Sequence, residues 1–265
     1  MNAMFKMAES WLSVFSIHLL EVSVFVLLVL LADKFLLRGV KERYFIWVLA
    51  LTKLLVPPLF SLPKAIQAPI QGQMPFLQIN ADVVGSVEPN HGLPLSVIMF
   101  TLWLFSASLV ALLIAYKNIS LRRRLRDCKQ IDISGLSDEL TIFESDSIQS
   151  PILLGLWHPR IYLPMDWSTW PEKVLKSIIA HEKGHIQHRD IVVLSAQYLS
   201  LVLFWMNPLV WIVHLHLNQL RELRCDQFAI RRTGVGPVAY SKMIVKFLGA
   251  KRAVPMLVGK CFSKN

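Results

Sequence analysis

Apolar positions in this chain fall into long unbroken runs rather than into the short periodic stripes of a soluble fold. Three runs come first, at residues 11–32, 45–62 and 95–116, each near the roughly 20 residues that cross a hydrocarbon core of about 30 Å. Each predicts a membrane-spanning helix. A cleavable leader explains the first run poorly, because it is too long for an h-region, Glu21 interrupts it and no small-residue cleavage pattern follows. After residue 140 the pattern changes. Thr169, Pro171 and Glu172 read as a capping box with proline in the first turn, and Val174, Leu175, Ile178 and Ile179 form the apolar face of an amphipathic helix running into His181. A fourth apolar stretch, residues 191–217, is broken at Asn207-Pro208, and polar helix formers follow it.

Composition supports a membrane reading: 54% of residues are hydrophobic, only 17% are charged, and the mean hydropathy is +0.47. The net charge of +10 is clustered. Residues 33–43 hold four Lys/Arg and residues 117–129 hold six, whereas the connection at 63–94 has only Lys64. The positive-inside rule therefore places both basic stretches in the cytoplasm, the 63–94 loop outside and the amino terminus outside. Because each basic cluster abuts a span, topology and anionic lipid account for it better than nucleic acid, and no direct nucleic-acid binding is expected. The three cysteines, Cys128, Cys225 and Cys261, match neither a disulfide framework nor a four-cysteine metal site and read as reduced thiols. Ser61 and Lys64 fit a Ser-x-x-Lys pattern, but a loop of some thirty residues cannot supply the fold that pattern needs.

The chemistry is concentrated in "HEKGHIQHRD", residues 181–190. On a helix His181 and His185 share one face, so both imidazoles can reach one ion, and catalytic zinc takes three protein ligands plus water. Glu182, beside the first histidine, is placed to take a proton from that water and deliver it to a leaving amine. A third ligand is expected from Glu222 in "NQLRELRCDQFAIRR", with Asp226 one turn on, able to orient a ligand imidazole. The competing reading makes this segment a solvated helix whose Arg221, Glu222, Arg224 and Asp226 pair among themselves. His188 lies about 10 Å along the axis from His181 and is not expected to share the ion. His214 and His216 are expected to be hydrogen-bonded helix residues. Glu21 is a functional candidate by its position in a span, or else a hydrogen-bond partner of His18 or a backbone group; Lys53 snorkels or pairs within the bundle.

Spacing constrains the topology. As one straight helix, residues 191–217 would cover about 40 Å and leave Glu222 across the bilayer from His181. A shared ion therefore requires the segment to enter and return, with Asn207 capping the returning helix and Pro208 in its first turn. Its outgoing limb, about 24 Å long, is short for a span, and the first three spans are expected to pack around the hairpin.

Taken together, "SPILLGLWHPRIYLP" (150–164), "HEKGHIQHRD", "NPLVW" (207–211) and "RELRCDQFAI" (221–230) make the chain resemble the membrane-embedded zinc metallopeptidases of the BlaR/MecR type. These are β-lactam-sensing transducers and their relatives without a sensor. The resemblance implies a gluzincin-like site holding one Zn2+, with His181, His185 and Glu222 as ligands, Glu182 as general base and Asp226 as supporting carboxylate. It further implies that Arg160, Ile161, Tyr162 and Leu163 form an edge strand that holds an extended peptide substrate. In sensing members, antibiotic binding outside leads to self-cleavage and removal of a transcriptional repressor. No penicillin-binding module follows the site helix here, so β-lactam sensing is not part of the expectation, and the chain reads as a short or incomplete member.

The expected architecture is mainly α: a polytopic membrane protein with three transmembrane helices (residues 1–116), then a cytoplasmic-facing α+β zinc-peptidase domain (117–265) carrying the re-entrant hairpin. The expected function is a zinc metalloendopeptidase of the cytoplasmic membrane. It would cleave a cytoplasmic or juxtamembrane protein, a transcriptional repressor or the chain itself, in regulatory signalling. The alternatives are a quality-control peptidase with a broad substrate range, or a non-catalytic scaffold in which zinc only holds helices together.

Overall fold

A computed structural model of the chain describes residues 2–56, 94–133, 140–155 and 157–248. The expected external loop, the Ser61/Lys64 pair, Cys261 and the end of the chain lie outside the described residues. The fold is mainly helical. Two long helices, α1 (Asn2–Phe35) and α2 (Val40–Leu55), are followed by α3 (Leu95–Arg124). Four short strands come next: β1 (Lys129–Ile131), β2 (Thr141–Ser145), β3 (Ile152–Leu154) and β4 (Arg160–Pro164). Then come α4 (Glu172–Gln187), α5 (Asp190–Phe204), α6 (Pro208–Thr233) and α7 (Pro237–Leu248).

Among the described residues, two helices are long and apolar enough to cross a membrane, Met4–Phe35 and Leu95–Arg124. The described part of the expected second span lies in α2, a helix of 16 residues whose length of about 24 Å falls short of a full crossing. Val22, Val26 and Val29 of α1 pack with Trp47, Ala50, Leu51 and Leu54 of α2, and with residues of the 191–217 segment. That segment is a helical hairpin. The Asn207 side chain accepts from the Leu209 amide at 2.9 Å, Pro208 opens α6, and Trp211 Nε1 donates to the Trp205 carbonyl across the turn. Leu201, Phe204, Val210, Val213 and Leu217 on its two limbs join the α1–α2 core. The third long helix closes the other side, where Trp103 Nε1 donates to the Leu203 carbonyl at 2.9 Å.

Glu21 is paired with Lys53, whose Nζ lies 2.6 Å from its carboxylate; the expected partner His18 instead reaches the Leu54 carbonyl at 3.0 Å. Both charges are inside the bundle, so each supplies the counterion that makes the other tolerable there. Sequence spacing missed this because Glu21 and Lys53 are 32 residues apart and meet only when α1 and α2 pack.

The second core lies between the sheet and α4. Strand order is β1-β2-β4-β3, with β2 and β4 parallel and the outer pairs antiparallel. Ile142, Leu153, Ile161 and Leu163 pack against Val174, Leu175, Ile178 and Ile179, the apolar face read from the sequence. Two local expectations fail. Arg160–Leu163 is not an edge: β4 pairs with β2 on one side and β3 on the other, and Ile161 and Leu163 are completely buried. A run of consecutive apolar residues is the mark of a strand covered on both faces, and β3 takes the edge by folding back through Gly155. That glycine has φ +103°, and a Cβ there would stand 2.2 Å from the His158 carbonyl oxygen. The capping box is likewise not formed. Thr169 Oγ1 donates to the Asp166 carbonyl within a preceding 3-10 turn, and α4 starts on the Pro171 carbonyl.

Candidate metal centre

His181 and His185 project from α4 and Glu222 from α6, the returning limb of the hairpin. Their nearest ligand atoms lie within 4.8 Å of one another. His181 Nε2 is 3.4 Å from one Glu222 oxygen and His185 Nε2 is 3.9 Å from the other. Each imidazole is held at its opposite nitrogen by a carboxylate: His181 Nδ1 donates to Asp226 at 2.9 Å, His185 Nδ1 to Asp190 at 2.8 Å. Those bonds fix both Nε2 atoms toward Glu222, and a nitrogen–nitrogen–oxygen set with carboxylate-anchored imidazoles can hold a divalent cation. Glu182 is buried on the same helix, adjacent to His181.

The surrounding charge is of the sign a cation needs. Burial works against charging His181, yet hydrogen bonds to Asp226 and Glu222, with the nearby charge of Glu182, raise its pKa to about 10. The partners move the other way: burial alone would raise both carboxyls, but the bond to His181 holds Glu222 and Asp226 below the usual carboxylate range. Two imidazoles thus sit among four carboxylates.

Four residues to which sequence reasoning gave no part in the site build this geometry. Asp190 follows the end of α4, where Arg189 adopts left-handed backbone (φ 54°) and turns the chain so that the carboxylate faces back to His185. Tyr240 of α7, almost fully buried, donates to Asp226 at 2.8 Å. Gly184 lets α4 and α6 close on each other: a Cβ there would meet Cys225 Cα, Cys225 Sγ and Phe228 Cδ1, all at 3.3 Å. A glycine inside a helix costs about 1 kcal/mol against alanine, and that cost was the available signal of close packing. Cys225 is completely buried, its Sγ 3.2 Å from His185 Nδ1 and 3.4 Å from Asp190; burial, reinforced by the charge of Asp190, pushes its thiol pKa up and keeps it protonated. His188 stands 3.9 Å from that sulfur, off the side of His185 that faces Glu222.

Other expected residues sit elsewhere. Tyr162 stacks on Phe143 at 5.3 Å and Arg160 lies over the same ring, so the four β4 residues serve the sheet. His214 contacts the Gln197 side chain at 3.2 Å, and His216 bonds the Ile212 carbonyl at 3.0 Å; both are the helix residues expected.

Comparison with known proteins adds an independent line. The family model described as BlaR1 peptidase M56 matches residues 12–264. The chain belongs to that peptidase family. It is 24% identical over 262 residues to the regulatory protein BlaR1 of Bacillus licheniformis, covering 92% of this chain and 43% of that protein. It is 28% identical over 112 residues to methicillin resistance mecR1 proteins of Staphylococcus aureus and Staphylococcus epidermidis, covering 42% of this chain and 19% of theirs. The chain spans less than half the length of these curated relatives. Membership in the M56 family implies a peptidase, related to regulatory proteins.

Proposed function

We propose that this chain is a membrane-embedded zinc metalloendopeptidase acting on a cytoplasmic or juxtamembrane protein in regulatory, antirepressor-like signalling. The observation that carries the reading is the convergence of His181, His185 and Glu222, from helices separated by an apolar hairpin, beside a buried glutamate. These three side chains would hold one zinc ion. When bound, zinc supplies Lewis acidity at a substrate carbonyl and makes water acidic enough to lose a proton near neutral pH. The Glu182 carboxylate accepts the proton of the attacking water and returns it to the departing amine nitrogen. Asp226 and Asp190 keep the two Nδ1 atoms engaged, which holds the imidazoles in one orientation through the reaction.

Substrate holding is assigned to β3 rather than β4. Ile152–Leu154 is the outer strand of the sheet on the α4 side, paired only with β4 among the described residues. An extended peptide adding to that edge gains backbone hydrogen bonds with little dependence on its sequence. The cytoplasmic placement of the site follows from the basic stretches after the first and third apolar runs. A protein substrate such as a repressor, or a second copy of the chain, fits this arrangement better than a small molecule.

Glu182→Gln separates the enzyme from a zinc-stabilised scaffold, since it keeps shape and ligands but removes the base. Protein fragments in cells carrying the wild type are expected to disappear with the variant, while its zinc content stays the same. Full biological activity in the variant would overturn the peptidase reading. A few defined fragments would mark a regulatory peptidase, whereas broad loss of many membrane-protein fragments would mark quality control.

A further inference from the structure

Away from the metal centre, a groove of about 790 Å³ opens at the end of α1 that carries the basic turn. Leu27, Leu30, Leu31 and Leu37 line one part; Asp33, Lys34, Arg43 and His216 line the rest. Positions 27, 30, 31 and 34 fall on one helical face, so a leucine stripe along α1 ends in a lysine. Leu27 and Leu31 remain about half exposed. The polar end is built rather than loose. Asp33, only 8% exposed, takes Arg43 in two bonds, from Nε at 2.6 Å and Nη2 at 2.9 Å. That leaves the Nη1–H groups of Arg43, a side chain about one-third exposed, for another acceptor. The rear wall is His216 stacked at 4.3 Å on the completely buried Trp47.

Arg43 is the cation bound to the buried Asp33, and Lys34, whose Nζ lies 5.3 Å from the Phe35 ring centroid, adds a second to the lining, so the polar end keeps a positive surplus. The adjoining turn adds Arg38 and Lys41 against Glu42. A ligand for this groove needs an anionic, multi-acceptor head and a long apolar tail lying along α1. A soluble anion would leave the leucines facing water, and a zwitterionic head would bring its ammonium against Lys34 and Arg43. We propose that the groove is a binding site for an anionic glycerophospholipid of the phosphatidylglycerol class, drawn from the bilayer that α1 crosses. The phosphate lies between Lys34 and Arg43, and an acyl chain lies over Leu27, Leu30 and Leu31. The site is independent of the peptidase reading, which uses none of these residues.

The full chain reconstituted in nanodiscs of equal phosphatidylglycerol and phosphatidylcholine tests this, with lipids retained through mild extraction measured by mass spectrometry. Phosphatidylglycerol is expected to be enriched roughly tenfold. Lys34→Gln should reduce that enrichment roughly fivefold, and Leu31→Trp, which puts a bulky ring across the leucine stripe without touching a charge, should abolish it. Both positions are exposed, so both variants fold; Arg122→Gln, in the other basic cluster, should leave the enrichment unchanged. Equal retention of the two lipids overturns the site. So does enrichment that survives Leu31→Trp, or that falls equally with Arg122→Gln, since each means diffuse attraction to the basic surface. Displacement of the lipid by millimolar glycerol phosphate also overturns it, because the leucine stripe would then contribute nothing.

Discussion

Asp226→Asn isolates the charge behind His181 from its geometry. The amide keeps an oxygen where the carboxylate oxygen now accepts from His181 Nδ1 at 2.9 Å and from Tyr240 at 2.8 Å, so both bonds can persist. What disappears is the negative charge that makes the imidazole a stronger donor to a metal. Loss of such a supporting partner lowers metal affinity by about 10- to 100-fold. The same charge also favours a proton on His181. With its pKa raised to about 10, that proton must leave before zinc can bind. At pH 7.5 the wild type therefore loses roughly a few hundredfold in affinity to proton competition, and its affinity should climb about tenfold per pH unit until pH approaches 10. In the variant His181 loses its proton at lower pH, so the climb levels off sooner. The two affinities should lie closest near pH 6.5 and diverge as pH rises. Titration of zinc against a chromophoric chelator from pH 6.5 to 9.5 measures both curves. Parallel curves, or equal affinities throughout, would refute the assignment of Asp226 as the charge behind a ligand.

The sign runs the other way for the metal-free protein. Imidazolium His181 contributes stability that is complete below about pH 6.5 and lost as pH rises through about 10, so zinc should raise thermal stability most at the alkaline end. Gly184→Val should cost about 1–3 kcal/mol and weaken zinc binding, because the branched side chain forces α6 away from α4; unchanged melting and affinity would mean the helices have slack. Lys53→Met alone should destabilise the bundle by about 3 kcal/mol by stranding Glu21, whereas Lys53→Met with Glu21→Met should recover most of that loss in a detergent thermal melt. A peptide hydroxamate should slow amide exchange in Ile152–Leu154 and leave β1 unaffected; protection at β1 instead would move the substrate to the opposite edge.

Much of this arrangement was legible because it is periodic or chemically paired. The i, i+4 histidines, the apolar face of α4 and the Asn207-Pro208 turn depend on local rules, and the need for one ion to reach both His181 and Glu222 turned those rules into a hairpin. The pairing of Arg160–Leu163 on both sides is not legible in the sequence. A three-residue strand, Ile152–Leu154, carries too little periodicity to announce itself, although the unalternating run Ile161-Tyr162-Leu163 is a pattern that fits a strand covered on both faces. Asp190 and Tyr240 were missed for a different reason. Their contacts depend on a left-handed turn at Arg189 and on α7 folding back over the site, neither of which leaves a spacing signature. The Glu21–Lys53 pair likewise exists only between packed helices.

Two candidate metal-binding clusters share His185, and the proposed zinc would belong to one of them. One, with His181 and Glu222, offers only nitrogen and oxygen; the other, with Asp190 and Cys225, includes sulfur. X-ray absorption at the zinc edge of the purified protein distinguishes them directly. One zinc per chain with nitrogen and oxygen neighbours at about 2.0–2.2 Å, lost in Glu222→Ala and kept in Glu182→Gln, is the expected result. A sulfur neighbour at about 2.3 Å, or zinc retained undiminished in Glu222→Ala, would contradict it.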